Sequence, residues 1–121
     1  MTIKKTLVLG ASPNQKRYSY MAIHKLLKHH HPVIPMGIKK AAVAELKIVN
    51  DRPNYTDIHT ISMYIGPRHQ ADYHNYLISL KPNRIIFNPG TENDVFKELC
   101  KEHNIQAIEH CTLIMLNEGT Y

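Results

Sequence analysis

Residues 4–9 read as a strand in which Leu7, Val8 and Leu9 run apolar without alternation, and Gly10 ends it. A strand with one face in water alternates apolar and polar side chains, so an unalternated run marks a strand covered on both faces, the condition inside a parallel sheet. Parallel neighbours cannot be joined by a hairpin and need a crossover, usually a helix. The helix is there in the pattern: between Ser19 and His30, the residues Ile23, Leu26, Leu27 and His30 fall at i, i+3, i+4 and i+7 and form one stripe. Pro32 stops it, and Val33-Ile34-Pro35-Met36-Gly37 reads as a second strand.

The same rhythm repeats. Ile58 to Ile65 reads as a strand, Gly66 and Pro67 open a helix, and Tyr73, Tyr76, Leu77 and Leu80 form its stripe before Pro82. Arg84 to Asn88 is the next strand. Thr91 is the expected N-cap of the helix that follows, with Glu92 in its first turn, Asp94 three residues on, and Val95, Phe96, Leu99, Cys100 and His103 on its buried side. Ile105 to Glu109 and Cys111 to Leu116 read as one or two terminal strands. Residues 39–57 are less regular: Lys39 to Leu46 suggests a helical turn or two, Lys47 to Asn50 a short edge strand, and Asp51 to Ile58 a turn. At 121 residues the whole chain, 1–121, is expected to form one α/β domain, a Rossmann-like doubly wound and mainly parallel sheet with helices on both faces.

Composition narrows the partners. A formal charge of +5 favours an anionic ligand, while the cations are scattered without a long basic run or interleaved aromatics, which argues against nucleic acid. The apolar stretch after the first lysines is too short for a signal peptide or a membrane span, so a cytoplasmic protein without membrane attachment is expected. Cys100 and Cys111 are then expected as free thiols serving as small core residues. Nine histidines include His29-His30-His31, but adjacent helical residues point about 100° apart. With no His-x-x-x-His beside a carboxylate and no Cys-His cluster, no metal site is expected. His24 and His74 are expected on helix surfaces and His103 at a helix end. His110 and Cys111, if on a strand, point to opposite faces.

In an open parallel sheet ligands lie beyond the carboxyl ends of the strands, where the strand order reverses. Three loops belong there: residues 10–17, 66–69 and 88–93. Gly10, Gly66 and Gly90 are expected to act as their hinges. The first lacks the dinucleotide spacing G-x-G-x-x-G, yet offers Ser12, Asn14 and Gln15 as hydrogen-bonding groups, Lys16 and Arg17 as charges, and the amides of a helix start, a set suited to a pyrophosphate. After the second strand an NAD site needs an acidic residue for the ribose hydroxyls, and no carboxylate occurs until Glu45. Lys39 and Lys40 instead suit a phosphate on the ribose, as in NADP or coenzyme A (CoA).

The segments LVLGASPNQKRYSYMAI, VIPMG, MYIGP, RIIFNPGTEN and CTLIML together resemble the small stand-alone CoA-binding domain proteins, which are similar to the N-terminal CoA-binding domain of the succinyl-CoA synthetase alpha subunit. The resemblance runs from Leu7 to about Leu116. It implies a site for CoA or an acyl-CoA in which Gly10, Ala11, Ser12, Pro13, Asn14, Gln15 and Arg17 surround the pyrophosphate. Lys39 or Lys40 faces the ribose phosphate, Ile65, Gly66 and Pro67 border the adenine, and Asn88, Pro89 and Gly90 line the path of the pantetheine arm. It also places Cys111 near the crevice. The synthetase's phosphorylated histidine and ATP-grasp subunit have no counterpart in these residues, so the resemblance implies a binding, sensing or carrier module without catalysis, presenting its nucleotide cofactor to a protein partner. A second reading of the same loops is an NADP-dependent oxidoreductase or redox protein.

Overall fold

The computed structural model describes residues 2–121. In chain order its elements are β1 (Thr6–Leu9), α1 (Tyr18–Lys28), β2 (Val33–Met36), β3 (Ala42–Val43), β4 (Leu46–Lys47), β5 (Thr60–Met63), α2 (His74–Ser79), β6 (Arg84–Phe87), α3 (Asp94–Glu102), β7 (Gln106–Glu109) and α4 (Thr112–Glu118). Two short 3-10 turns, Pro67–His69 and Ala71–Tyr73, lead into α2. Five strands form one sheet in the order β2-β1-β5-β6-β7, every neighbouring pair parallel.

Alternation along each strand builds two cores. Leu7, Leu9, Ile61, Met63, Ile85 and Phe87 face one side and pack with Leu77 of α2 and with Phe96 and Cys100 of α3. Val8 and Ile86 face the other, where they meet Ile23 and Leu26 of α1 and Met115 and Leu116 of α4. Burying one such side chain contributes about 1.5–3 kcal/mol, and the strands are apolar on both faces because helices cover both. The expected doubly wound α/β architecture is present.

Several elements differ from the sequence expectation. Cys111 to Leu116 is not a strand: Thr112, Met115 and Leu116, at i, i+3 and i+4, form the buried stripe of α4, and Ile114 is exposed. Lys39 to Leu46 is not helical either. Its second half makes a hairpin in which Val43 pairs with Leu46 around Ala44 and Glu45, both with positive φ of 50° and 66°. The expected edge strand at 47–50 is reduced to a parallel bridge between Val49 and Met36, with β4 beginning at Leu46.

Asn93, not Thr91, caps α3: its side chain accepts a hydrogen bond from the Phe96 amide at 3.1 Å. Thr91 is buried and donates to the Asn88 carbonyl at 2.7 Å, while Glu92 accepts from the Gly90 amide at 2.8 Å. Val95 is 74% exposed and His103 lies in solvent, so the buried face of α3 is narrower than its apolar spacing suggests. His74 is half-buried, stacked on Phe96 with ring centroids 4.1 Å apart, rather than on a free helix surface.

His30, counted in the first helical stripe, lies beyond α1 in solvent with φ 68°. The amides of His30 and His31 donate to the carbonyls of Leu27 and Leu26, each at 3.0 Å, which closes the helix in a Schellman arrangement and turns His31 inward. There His31 Nδ1 accepts from the Lys4 amide at 3.0 Å, and its ring lies 4.9 Å from that of Tyr121. Tyr121 closes this amino-terminal end of the sheet, with the Arg84 guanidinium 4.5 Å from its ring centroid and its hydroxyl hydrogen-bonded to Thr6.

Burial, and then the nearby cations of Lys4, His29 and Arg84, hold the His31 pKa below its usual 6.5. A group whose folded pKa is depressed takes up protons on unfolding below its unfolded value, so its contribution to stability is complete above pH 6.5 and is lost as pH falls toward the folded pKa. Urea denaturation is therefore expected to give a midpoint that drops on acidification below pH 6.5, with a shallower drop in His31→Gln; identical pH slopes for the two proteins contradict this.

Candidate functional site

Counting only the strands of the large sheet, the order is 2-1-3-4-5, and the direction of winding reverses between β1 and β5. A crevice for a ligand opens at such a switch point, beyond the carboxyl ends of the strands. Gly10 leaves β1 there with φ 98°, and its amide and that of Ala11 both donate to the Met36 carbonyl of β2, at 2.9 and 3.0 Å. A Cβ at Gly10 would lie 2.9 Å from Ile65 Cγ2 and 3.1 Å from the carbonyl carbon of Tyr64. Both the backbone angle and the close approach require glycine. Gly37 seats the loop after β2 against the same point, since a Cβ there would lie 3.2 Å from the Ala11 carbonyl oxygen. Three loops thus meet at one place. Gly90 also has a positive φ of 92°, but Gly66 has φ −67° and open space around it, so it is not the conformational hinge expected from the sequence.

In the first loop Ala11 is buried, Ser12 partly so, and Pro13, Asn14, Gln15, Lys16 and Arg17 are exposed. Ser12 Oγ accepts from the Asn14 amide at 3.1 Å, Asn14 Oδ1 from the Lys16 amide at 3.0 Å, and the Asn14 carbonyl from the Arg17 amide at 3.0 Å. These bonds coil the loop into the start of α1. Among the described residues the Ser12 and Gln15 amides have no backbone partner, while those of Gly10 and Ala11 are both bonded to Met36. Arg17 stands at the N-cap without a side-chain hydrogen bond, and the first turn of α1 contains no acidic residue. The amides of that turn and the charge of Arg17 favour an anion.

Lys39 and Lys40 are exposed in the loop after β2, next to Ile38, which is 84% exposed. Ile65 and Gly66 are half-buried and Pro67 is exposed. Asn88 behaves differently from its sequence expectation. It is only 2% exposed, its Nδ2 donates to Ser62 Oγ at 3.0 Å and to the Met63 carbonyl at 2.9 Å, and its Oδ1 accepts from the Thr112 amide at 2.8 Å. Three hydrogen bonds of this side chain go into joining β5, β6 and α4, and the exposed Pro89 and Gly90 are left at the rim.

Gln70 is a structural part of the rim that the sequence pattern did not disclose. Fully buried, it donates from Nε2 to the carbonyls of Ile65 at 3.0 Å and Thr91 at 2.7 Å, and its Oε1 accepts from Asn93 Nδ2 at 3.1 Å. It clamps the loop after β5 to the loop after β6. Nearby, Tyr64 has its hydroxyl shielded from solvent, and burial pushes its pKa up to about 12, so it stays a neutral phenol.

Cys111 is partly exposed at the N-cap of α4, and its amide donates to His110 Nδ1 at 2.7 Å. Both residues follow the end of β7 at Glu109, so the opposite-faces argument for a strand does not apply. Cys100 is buried in the core, where desolvation raises its pKa to about 11. Among the described residues no group of three or more His, Cys, Asp or Glu side chains is placed to hold a metal ion. No helix is long and apolar enough to cross a membrane.

A family model described as a CoA binding domain matches residues 4–117, nearly the whole chain. The chain belongs to the CoA-binding domain family. A solved structure described as an uncharacterized protein is 45% identical to this CoA-binding domain, with a TM-score of 0.98 and 100% of both chains covered. A hypothetical protein from Pyrococcus horikoshii OT3 is 23% identical, with a TM-score of 0.84 over 96% of this chain and 83% of that one. A protein from Thermus thermophilus is 18% identical, with a TM-score of 0.84 over 98% and 91% of the two chains. These last two show a shared fold. No curated protein matches the chain.

Replacing Asn88 by alanine leaves the Thr112 amide and the Met63 carbonyl unpaired in the interior, which costs about 1–3 kcal/mol for each group not reached by water. Asn88→Ala is expected to lower stability by about 2–4 kcal/mol in urea denaturation. A loss under about 0.5 kcal/mol would remove Asn88 from its place as the tie beneath the rim.

Proposed function

We propose that this domain holds CoA or an acyl-CoA in the crevice between the ends of β1 and β5, as a binding, sensing or carrier module in the cytoplasm whose bound state is read by a protein partner. Membership of the CoA-binding domain family supports the ligand class. The observation that carries the reading is the convergence of three loops on Gly10, with two lysines at the end of β2 where a dinucleotide site has a carboxylate.

In this reading the pyrophosphate lies over the main chain of residues 10–15, in the loop that Gly10 lets pack against the end of β5. Ser12 and Gln15 donate from their amides, Pro13 and Asn14 shape the turn, and Arg17 with the start of α1 supplies positive potential. Lys39 or Lys40 pairs with the ribose phosphate. Ile65, Gly66 and Pro67 border the adenine, and Pro89 and Gly90 line the pantetheine arm with Asn88 as their buried support. A role without turnover fits the hydroxyls beneath the rim. Ser62 and Thr112 are fully buried and hydrogen-bond to each other at 2.8 Å, which is an arrangement for holding strands and helix together.

Isothermal titration calorimetry with CoA, dephospho-CoA and NADP tests the reading. CoA is expected to bind tightest, and Lys39→Ala with Lys40→Ala to weaken it by about 1–3 kcal/mol, as for loss of a charge-assisted hydrogen bond, while dephospho-CoA is little affected. Equal affinity for CoA and dephospho-CoA removes the lysines from the site. Binding of NADP with no response to CoA replaces the proposal by the oxidoreductase reading.

A further inference from the structure

After the β3–β4 hairpin the chain returns beside β2 and holds the lysine loop from outside. The Val49 amide donates to the Pro35 carbonyl at 2.8 Å, the Gly37 amide to the Val49 carbonyl at 3.1 Å, and the Ile48 amide to the Ala41 carbonyl at 2.9 Å. The next residue adds a side-chain bracket. Asn50 Nδ2 donates to the carbonyls of Gly37 and Lys39, each at 2.9 Å. A primary amide has two N–H donors, and here both go to carbonyls two residues apart in the same loop.

The loop is fixed from the other side as well, because Gly37 seats on the backbone of Ala11 in the first loop. Residues 37–39 are therefore held between Ala11 and Asn50, and Ala41 is held by Ile48. Lys39 and Lys40 sit between these fixed points with exposed side chains. A lysine ammonium on a four-carbon stem gives up rotamer freedom when it settles on an anion, and any slack in its backbone adds to that loss. A braced backbone removes the second part.

We propose that Asn50 is a positioning residue that sets the preference of this crevice for a nucleotide carrying a ribose phosphate over one lacking it. The inference rests on the reading of Lys39 and Lys40 as the groups that meet that phosphate. Asn50 acts through the lysine backbone, by the orientation of its carboxamide toward Gly37 and Lys39. Aspartate is nearly the same shape but turns acceptors toward those two carbonyls and adds a negative charge beside the lysines. It is therefore a more damaging replacement than alanine, and serine, with one donor, a milder one.

The test is calorimetry of CoA and dephospho-CoA on the wild type and on Asn50→Ala, Asn50→Asp and Asn50→Ser, with the ratio of the two dissociation constants as the readout. That ratio is independent of the fraction of protein that is folded, so a partly unfolded variant still reports. The expected result is a dephospho-CoA affinity within about twofold of wild type throughout and a CoA affinity about fivefold weaker in Asn50→Ala, weaker still in Asn50→Asp and closer to wild type in Asn50→Ser. An unchanged ratio in Asn50→Ala and Asn50→Asp, or an equal loss for both ligands, overturns the proposal while leaving the lysines in place. A wild-type protein that binds the two ligands equally overturns the reading of Lys39 and Lys40, and this inference with it.

Discussion

The close approach of two backbone segments at Gly10 sets the shape of everything around the crevice. With a carbonyl of β2 accepting its amide on one side and Ile65 in contact on the other, the chain leaving β1 has room for a hydrogen atom and no more. The first loop is thereby laid across the sheet at the point where the winding reverses, and α1 starts with its amides directed toward that point. Gly37 repeats the device one strand over. At both positions the missing side chain lets main chain pack on main chain, since a Cβ would meet Ile65 and Tyr64 in one case and Ala11 in the other.

Ordering loops on binding costs free energy, so loops that are already fixed bind better for the same contacts. The loops after β5 and β6 are fixed by amide side chains, those of Asn88 and Gln70 buried and that of Asn93 half-buried. Asn88 joins β5, β6 and α4 beneath the rim, Gln70 ties the loop after β5 to the start of α3, and Asn93 both caps α3 and donates to Gln70. Asn88 and Gln70 each satisfy two main-chain groups, and Asn93 one, that the irregular loops would otherwise leave unpaired. The other two loops are held separately, residues 12–17 by the side chains of Ser12 and Asn14 and residues 37–39 by Asn50, and they leave Arg17, Lys39 and Lys40 exposed.

The parallel sheet was legible because Leu7-Val8-Leu9 and Arg84-Ile85-Ile86-Phe87 lack alternation, and the placement of the crevice followed from the crossover rhythm. The run Cys111 to Leu116 misled because a short stretch that is apolar but for Thr112 carries no clear period; only the uncovered side of Val8 and Ile86 decides for a helix. Residues 39–46 misled in another way. Alanine and glutamate favour helix locally, but tertiary pairing places Ala44 and Glu45 in left-handed backbone at a hairpin turn. Thr91 was a good cap by type, yet burial beside Asn88 gave its hydroxyl another partner and left the cap to Asn93. The hydrogen bonds of Asn50 and Gln70 have little local signal, since apart from Ile65, five residues before Gln70, the carbonyls they reach lie 11 to 21 residues away.

The account stands or falls on where the ligand sits. Titration of the isotope-labelled protein with CoA, followed by amide correlation spectra, locates the contact residue by residue. The perturbed amides are expected at Gly10 to Ser12, Asn14, Gln15, Ile38 to Lys40, Ile65, Gly66 and Gly90, all at the carboxyl rim of the sheet. Saturable shifts centred on His31, Arg84 and Tyr121, at the amino-terminal end, with the Gly10 loop unmoved, would contradict it.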